Sequence, residues 1–272
     1  HGRPRLCPRA ETSSAPTWRC AEGPIDSPSG ATVELVVHPG GISPSATSST
    51  DRQPRIVGAI PARYGSERLP GKALATIAGR PLIEHVYRRA ADAPGLERVV
   101  VLTDDERIAD AVEAFGGTAQ MTPTDCASGT DRIAWAARDW EVEAVVNIQG
   151  DEPLLDPAAI GAVAEHLARH TDDPVVTLAA PAEPSDAGDP DVVKVVLDRR
   201  GYALYFSRAP IPYERGPVAT AGAGEGTREG ASVLRHQGIY GYQRRALLAI
   251  AALEPSPLER TEALEQLRML EN

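Results

Sequence analysis

The sequence predicts an α/β fold in which a mostly parallel sheet, covered by helices on both faces, gives way to an antiparallel excursion. Three observations predict it. The stretches "RIVGAI", "RVVVL" and "AVVNIQ" are near-continuous apolar runs of strand length, as expected for strands buried on both faces. Helical periodicity separates them, and strand–helix alternation builds parallel sheets. Beyond residue 174 the strand-like stretches follow one another with no helix between.

"RIVGAI" opens the alternation at Arg55, and "PLIEHVYRRAADA" reads as an amphipathic helix beginning at Pro81. After "RVVVL" a helix is expected from about Asp105 to Phe115, with Thr103 or Asp104 as its cap. "SGTDR" (128–132) opens another helix, where Ser128 suits a cap. "AVVNIQ" leads to "DPAAIGAVAEHLARH", with Asp156 at the N-cap and Pro157 at N1. "PVVTLAA", "VVKVVLD", "YALYFSR" and "LRHQGIYGY" form the antiparallel excursion, interrupted by a loop over 216–230 that its composition predicts to be mobile. "SPLERTEALEQLRML" reads as one amphipathic helix with Leu258, Leu264 and Leu267 as core candidates.

Composition excludes several classes of function. The 272 residues are 42% hydrophobic and 24% charged, an ordinary globular balance. No apolar run reaches the roughly 18–20 residues of a membrane helix. A net charge of −10 without any basic block argues against nucleic-acid binding. Cys7, Cys20 and Cys126 are odd in number and irregular in spacing, so neither a disulfide framework nor a zinc site is expected, and a reducing cytoplasm fits best. Residues 1–54 stand apart: 26 of the 54 are Gly, Pro, Ser or Thr, and "ATVELVVHP" is a lone strand-like piece. The segment, which begins with His1, reads as a disordered or non-native extension.

Within so acidic a chain, the cations of "IPARYGSERLPGKAL" (60–74) stand out. A Gly- and Arg-rich turn at the carboxyl end of a parallel strand faces anionic ligands. It is not a Walker A loop. Five residues separate Gly65 from Gly71, Ala73 follows Lys72 where Ser or Thr is required, and Pro70 removes a backbone donor. Lys72 and Lys194 are the only lysines among 28 basic residues, which marks each as a position suited to a compact point charge.

"NIQGDEP" (147–153) ends the third strand with Asp151 and Glu152 at the ligand edge. A carboxylate there can hold Mg²⁺ shared with substrate phosphates, although Gly-Asp is also a common turn dipeptide. Ser128 and its neighbours suit a base or ribose pocket as well as a cap. His236 reads as a strand histidine or a binding group, and Arg208 as a binding group or a guanidinium stacked on an aromatic ring.

Taken in order, "IPARYGSERLPGKAL", "SGTDR", "NIQGDEP", "VVKVVLD", "YALYFSRAPIPY", "RHQGIYGY" and "SPLERTEALEQLR" resemble the successive motifs of the 3-deoxy-manno-octulosonate cytidylyltransferases. The resemblance runs from about Arg55 to the last residue. The opening loop is shared with other sugar-nucleotide synthetases, whereas "ALYFSR", "HQGIYGY" and "LEQLR" are more specific. It implies a Rossmann-like nucleotidyltransferase domain over 55–272, CTP and the sugar acid Kdo as small-molecule substrates, Mg²⁺ as cofactor, and a cytoplasmic homodimer acting in lipopolysaccharide biosynthesis. CMP would pass from CTP to Kdo with release of pyrophosphate.

Carried over by residue, the resemblance assigns the CTP triphosphate to Arg63, Arg68 and Lys72, with Ala62 also nucleotide-binding and Arg63, Lys72 and Asp151 at the chemistry. Ser128, Gly129, Thr130, Arg132 and Gln149 belong to the nucleotide side. Gln149, Arg208, His236, Tyr240, Glu265 and Gln266 line the sugar-acid pocket, and Asp151 is the metal ligand. Lys194 has no assigned contact. The family continues past "LEQLR" with another strand and a Gly-x-Asp-Thr-Pro-type segment, so a chain stopping at Asn272 is expected to have an incomplete C-terminal end. The alternatives are a sialic-acid-activating relative, a catalytically impaired nucleotide-binding fragment, and a P-loop NTPase, which the loop spacing disfavours.

Overall fold

The computed structural model describes residues 33–37, 54–65, 69–213 and 233–272. Arg68, Cys7, Cys20 and the loop over 216–230 lie outside them. In chain order the strands are β1 (Val33–Val37), β2 (Ile56–Ala62), β3 (Thr76–Ile77), β4 (Arg80–Pro81), β5 (Arg98–Thr103), β6 (Ala119–Met121), β7 (Ala144–Asn147), β8 (Val175–Pro181), β9 (Lys194–Leu197), β10 (Ala203–Ser207) and β11 (Leu234–Gln243). The helices are α1 (Leu82–Ala91), α2 (Glu106–Ala114), α3 (Gly129–Ala137), α4 (Pro157–Arg169), α5 (Arg244–Ile250), α6 (Pro257–Glu262) and α7 (Leu267–Glu271).

Among the described residues, nine strands form one sheet with the path β1-β8-β11-β7-β2-β5-β6, and β9 joins β11 and β10 beside it. The β7-β2-β5-β6 half is parallel. The ladders joining β11, β8, β9, β10 and β1 are all antiparallel. The expected architecture is therefore present, a parallel core with an antiparallel excursion.

The period-two alternation of β2 divides the interior. Val57 and Ala59 pack with Val100, Val145 and Ile133 under α3 and α5. Ile56 and Ile60 pack with Ile83, Ile108 and Ile160 under α1, α2 and α4. Full burial of one such aliphatic side chain contributes about 1.5–3 kcal/mol, so both faces must be apolar and the strand reads as an unbroken run.

Three local expectations are corrected. The cap of α2 is Asp105, whose carboxylate accepts from the Arg107 amide. Thr103 instead accepts from the Asp105 amide, and Asp104 is drawn into an ion pair with Arg132. The last amphipathic stretch is two short helices, because Ala263 turns into the left-handed region at φ 51°. Leu264 and Leu267 are buried, but Leu258 is 37% exposed; their spacing does not keep them on one face of a continuous helix. Finally, Val33–Val37, inside the segment expected to stay outside the fold, pairs along its whole length with β8. Val36 also donates its amide to Gly201 O, so this strand gains the ladder partners that a lone strand lacks.

Candidate active site

The carboxyl ends of β2 and β7 meet where the opening loop leaves the sheet. Gly71, in the left-handed region at φ 70°, donates its amide to Tyr64 O at 2.8 Å and closes the loop on itself. The Tyr64 ring is in turn covered by the Arg107 guanidinium, 3.4 Å from the ring centroid. Gly150 brings β7's end against β2: a Cβ there would lie 3.0 Å from Pro61 O.

This approach forms a cleft of about 470 Å³ lined by Ala62, Arg63, Lys72, Gly129, Arg132 and Asp151 among others. Lys72 Nζ donates to Asp151 Oδ2 at 2.8 Å, and both side chains remain half-exposed. Arg63 is exposed, reaching Ala127 O at 3.4 Å. Arg132 is 1% exposed and is held by Asp104 Oδ2 at 2.7 Å, Thr122 Oγ1 and Pro123 O. Its charge is largely committed to Asp104, which leaves Arg63 and Lys72 as the accessible cations of the described lining.

Ser128 caps α3 in a reciprocal capping box with Asp131 and also donates to Glu265 Oε1 at 3.1 Å. Both of its expected roles, cap and site contact, are thus compatible. Burial pushes the Glu265 carboxyl up, against the opposing effect of hydroxyls from Thr130 and Ser128.

A second cavity of about 250 Å³ adjoins the cleft, with Gln149 in the wall of both. Thr130, His236, Tyr240, Glu265 and Gln266 line it. Two elements aim these groups. A register shift in β11 between Gln237 and Tyr240 redirects the strand between His236 and Tyr240. The left-handed turn at Ala263 swings Glu265 and Gln266 over the cavity from the other side.

His236 Nε2 meets Thr177 Oγ1 at 2.9 Å, while that hydroxyl donates to Ile239 O at 2.7 Å. One hydroxyl carries one proton, so Nε2 is the donor and Nδ1 is left as an acceptor. Burial pushes the ring's pKa down to about 3. His236 is therefore neutral at pH 7 and offers the cavity hydrogen bonding, not charge.

Arg208 is not brought to this lining. Its guanidinium donates to Glu262 O, Pro190 O and Ala263 O, and its amide to Glu262 Oε2. Lys194, fully buried, donates to the carbonyls of Asp189, Val192 and Arg208 at 2.6–2.7 Å. The two cations brace β9, β10 and the turn that carries Glu265 and Gln266. Sequence reasoning missed Asn147 and Thr177, polar residues buried within the apolar runs "AVVN" and "VVTLAA"; their interruption of an apolar strand was the available signal.

The donors beside the cleft are oxygens, from Asp151 and Gln149, and these suit a hard cation. Among the described residues no group of three or more His, Cys, Asp or Glu side chains could hold a metal. A single carboxylate fits an ion that takes its remaining oxygens from phosphate and water.

The family model described as cytidylyltransferase matches residues 57–272. A 3-deoxy-manno-octulosonate cytidylyltransferase of Syntrophotalea carbinolica is 50% identical over 218 residues, covering 80% of this chain and 86% of that protein. The enzyme of the same name from Methylococcus capsulatus is 52% identical, covering 78% of this chain and 82% of its own. A solved structure described as CMP:2-keto-3-deoxy-manno-octonic acid synthetase complexed with CTP superposes with a TM-score of 0.73 at 43% identity, covering 80% of this chain and 86% of that one. A parallel-cored sheet ending in a cationic cleft, matched by relatives along nearly its whole described length, places this chain in the cytidylyltransferase family, among the 3-deoxy-manno-octulosonate cytidylyltransferases.

Proposed function

We propose that the protein transfers CMP from CTP to 3-deoxy-manno-octulosonate (Kdo), releasing pyrophosphate. The observation that carries this reading is the pair of contiguous cavities. One carries cations and suits a triphosphate, the other is sugar-sized with a few polar side chains set among apolar ones, and Gln149 lines both. An acceptor in the second cavity would present its anomeric hydroxyl to the α-phosphate in the first. The new O–P bond forms as the bond from the α-phosphorus to the bridging oxygen breaks; pyrophosphate leaves in line and the hydroxyl's proton passes to solvent.

In this reading the protein aligns the reactants and neutralises charge. Arg63 and Lys72 receive the triphosphate, Lys72 exchanging its Asp151 partner for phosphate oxygen. Asp151, so released, would hold Mg²⁺ with the phosphates, and the ion would neutralise charge developing on them. Ser128 and Gly129, at the N-terminus of α3, form the nucleotide side, and Thr130, which lines the second cavity, sits between the two. Glu265, Gln266, His236 and Tyr240 enclose the sugar acid. Arg208 supports that enclosure through the turn at Ala263.

The reading extends to a homodimer in the cytoplasm serving lipopolysaccharide synthesis. Among the described residues β10 ladders only with β9, and Leu204 on it is 59% exposed; this apolar side chain on the antiparallel excursion supports self-association. No helix of the described residues is long and apolar enough to cross a membrane.

The test is pyrophosphate release from CTP with Kdo and Mg²⁺, with UTP, ATP and sialic acid in parallel. Release confined to CTP plus Kdo is expected. Release with sialic acid instead would replace the acceptor, and CTP binding without turnover would reduce the chain to a nucleotide-binding fold.

A further inference from the structure

Asp105 and Arg107 have no part in the chemistry proposed above, yet Arg107 touches the loop that carries Lys72. The parallel pairing of β2 with β5 sets Ala62 beside Thr103. Two residues beyond each, Tyr64 and Asp105 leave neighbouring strand ends. The Asp105 carboxylate caps α2 by accepting the Arg107 amide at 3.0 Å. It also accepts from Arg107 Nε at 2.9 Å and Nη2 at 2.6 Å. Three bonds to one carboxylate fix the guanidinium, whose carbon lies over the Tyr64 ring, 3.4 Å from the centroid.

The same ring lies against Gly71, where an added Cβ would come within 3.0 Å of Tyr64 Cε2. The Tyr64 carbonyl accepts the Gly71 amide. Gly71, at φ 70°, begins the single helical turn Lys72–Leu74, and α2 packs on that turn. A chain of contacts therefore runs from the cap of α2 through Arg107 and Tyr64 to Gly71, the residue before Lys72. Arg107 is 59% exposed, and an exposed ion pair contributes little stability. The consequence of the fork is where it holds the ring.

We propose that Arg107, forked on Asp105, is a positioning residue for the triphosphate loop: it pins the Tyr64 ring, and with it Gly71 and Lys72, in the binding geometry before the nucleotide arrives. The inference rests on the CTP reading above. A ligand that meets a loop already in place does not have to supply the free energy of ordering it, whereas apparent affinity falls with the fraction of molecules whose loop is out of place. Once CTP is bound, its phosphates hold the loop, so the pin acts on affinity for CTP and hardly on turnover. None of these residues lines the acceptor cavity.

Arg107→Ala, Arg107→Lys and Asp105→Asn test this in the full chain, by calorimetric titration with CTP and by steady-state kinetics with CTP and Kdo. In Arg107→Ala the Kd and KM for CTP should rise about threefold to tenfold. The kcat should stay within about twofold and the KM for Kdo should not change. Asp105→Asn keeps a capping side chain but loses the charge of the fork, so it should move the same constants in the same direction by less. Arg107→Lys should resemble Arg107→Ala, because lysine keeps the charge without the planar fork. Full affinity in Arg107→Lys would mean that Arg107 acts on CTP as a bare charge, and would overturn the inference. So would unchanged CTP constants in Arg107→Ala, or a loss confined to kcat or to Kdo. A wild type that fails to bind CTP would overturn the nucleotide reading and this one together. Should Arg107→Ala lose its fold, Asp105→Asn, with α2 still capped, decides the matter.

Discussion

Lys72 and Asp151, 79 residues apart in the chain, meet at 2.8 Å across the mouth of the cleft. One comes from the opening loop and the other from the end of the central strand β7, so the ion pair links the two motifs that would share a triphosphate. Both ends are half-exposed, where an ion pair contributes little stability. Its value lies in holding each charge ready for exchange.

Asp151→Ala should abolish turnover, with a fall in kcat on the order of 10²–10³ or more, while CTP binding persists because Lys72 is released from its partner. Single-turnover kinetics and calorimetric titration with CTP separate the two effects. Full activity in this variant would remove Asp151 from the metal role.

Cys126 is a half-buried free thiol beside the nucleotide side of the site. The proposed chemistry needs no thiol nucleophile. Cys126→Ser should therefore leave kcat/KM within about twofold, as for substitutions away from special features. A large loss, measured in the pyrophosphate assay, would point to covalent chemistry instead.

His236 makes a pH prediction. Burial lowers its folded pKa to about 3, whereas an unfolded histidine titrates near 6.5. Above about pH 6.5 both states are neutral and the group is silent. As pH falls from there towards 3, the unfolded chain binds the proton first, so stability is lost, by at most about 1.4 kcal/mol per pH unit from this group. Urea unfolding of wild type and His236→Gln across this window should show a shallower acid decline in the variant. Equal slopes would mean that the ring protonates in place.

Lys194→Met should destabilise the fold by about 2–4 kcal/mol, because three backbone carbonyls lose the buried ammonium that is their common donor. If Lys194 and Arg208 brace the turn carrying Glu265 and Gln266, the surviving folded fraction should show a raised KM for Kdo and an ordinary KM for CTP. Denaturant midpoints and kinetics on the same preparation check both.

Much of the fold was legible because its physical causes are local. The apolar runs of β2, β5 and β7 must be buried on both faces. Asp156 and Pro157 begin α4 as the sequence predicts, since capping depends on neighbouring residues. The Arg63–Lys72 loop and the Asp151 turn were recognisable because cations and carboxylates at strand ends are distinctive in so acidic a chain. Ala263 was not legible: nothing in "ERTEALEQLR" announces a left-handed alanine, and packing of Leu264 and Leu267 into the core imposes it.

The sequence by itself determined the elements of the parallel core, the family and the loop that forms the cationic cleft, since periodicity, caps and motif order act within a few residues. Only the tertiary structure decided the sense of each site residue. It neutralised His236 through burial, committed Arg132 to Asp104, and turned Arg208 towards backbone carbonyls. It also laid Arg107 over Tyr64. Desolvation and hydrogen-bond partnership are properties of a group's surroundings, and those surroundings are assembled from residues distant along the chain.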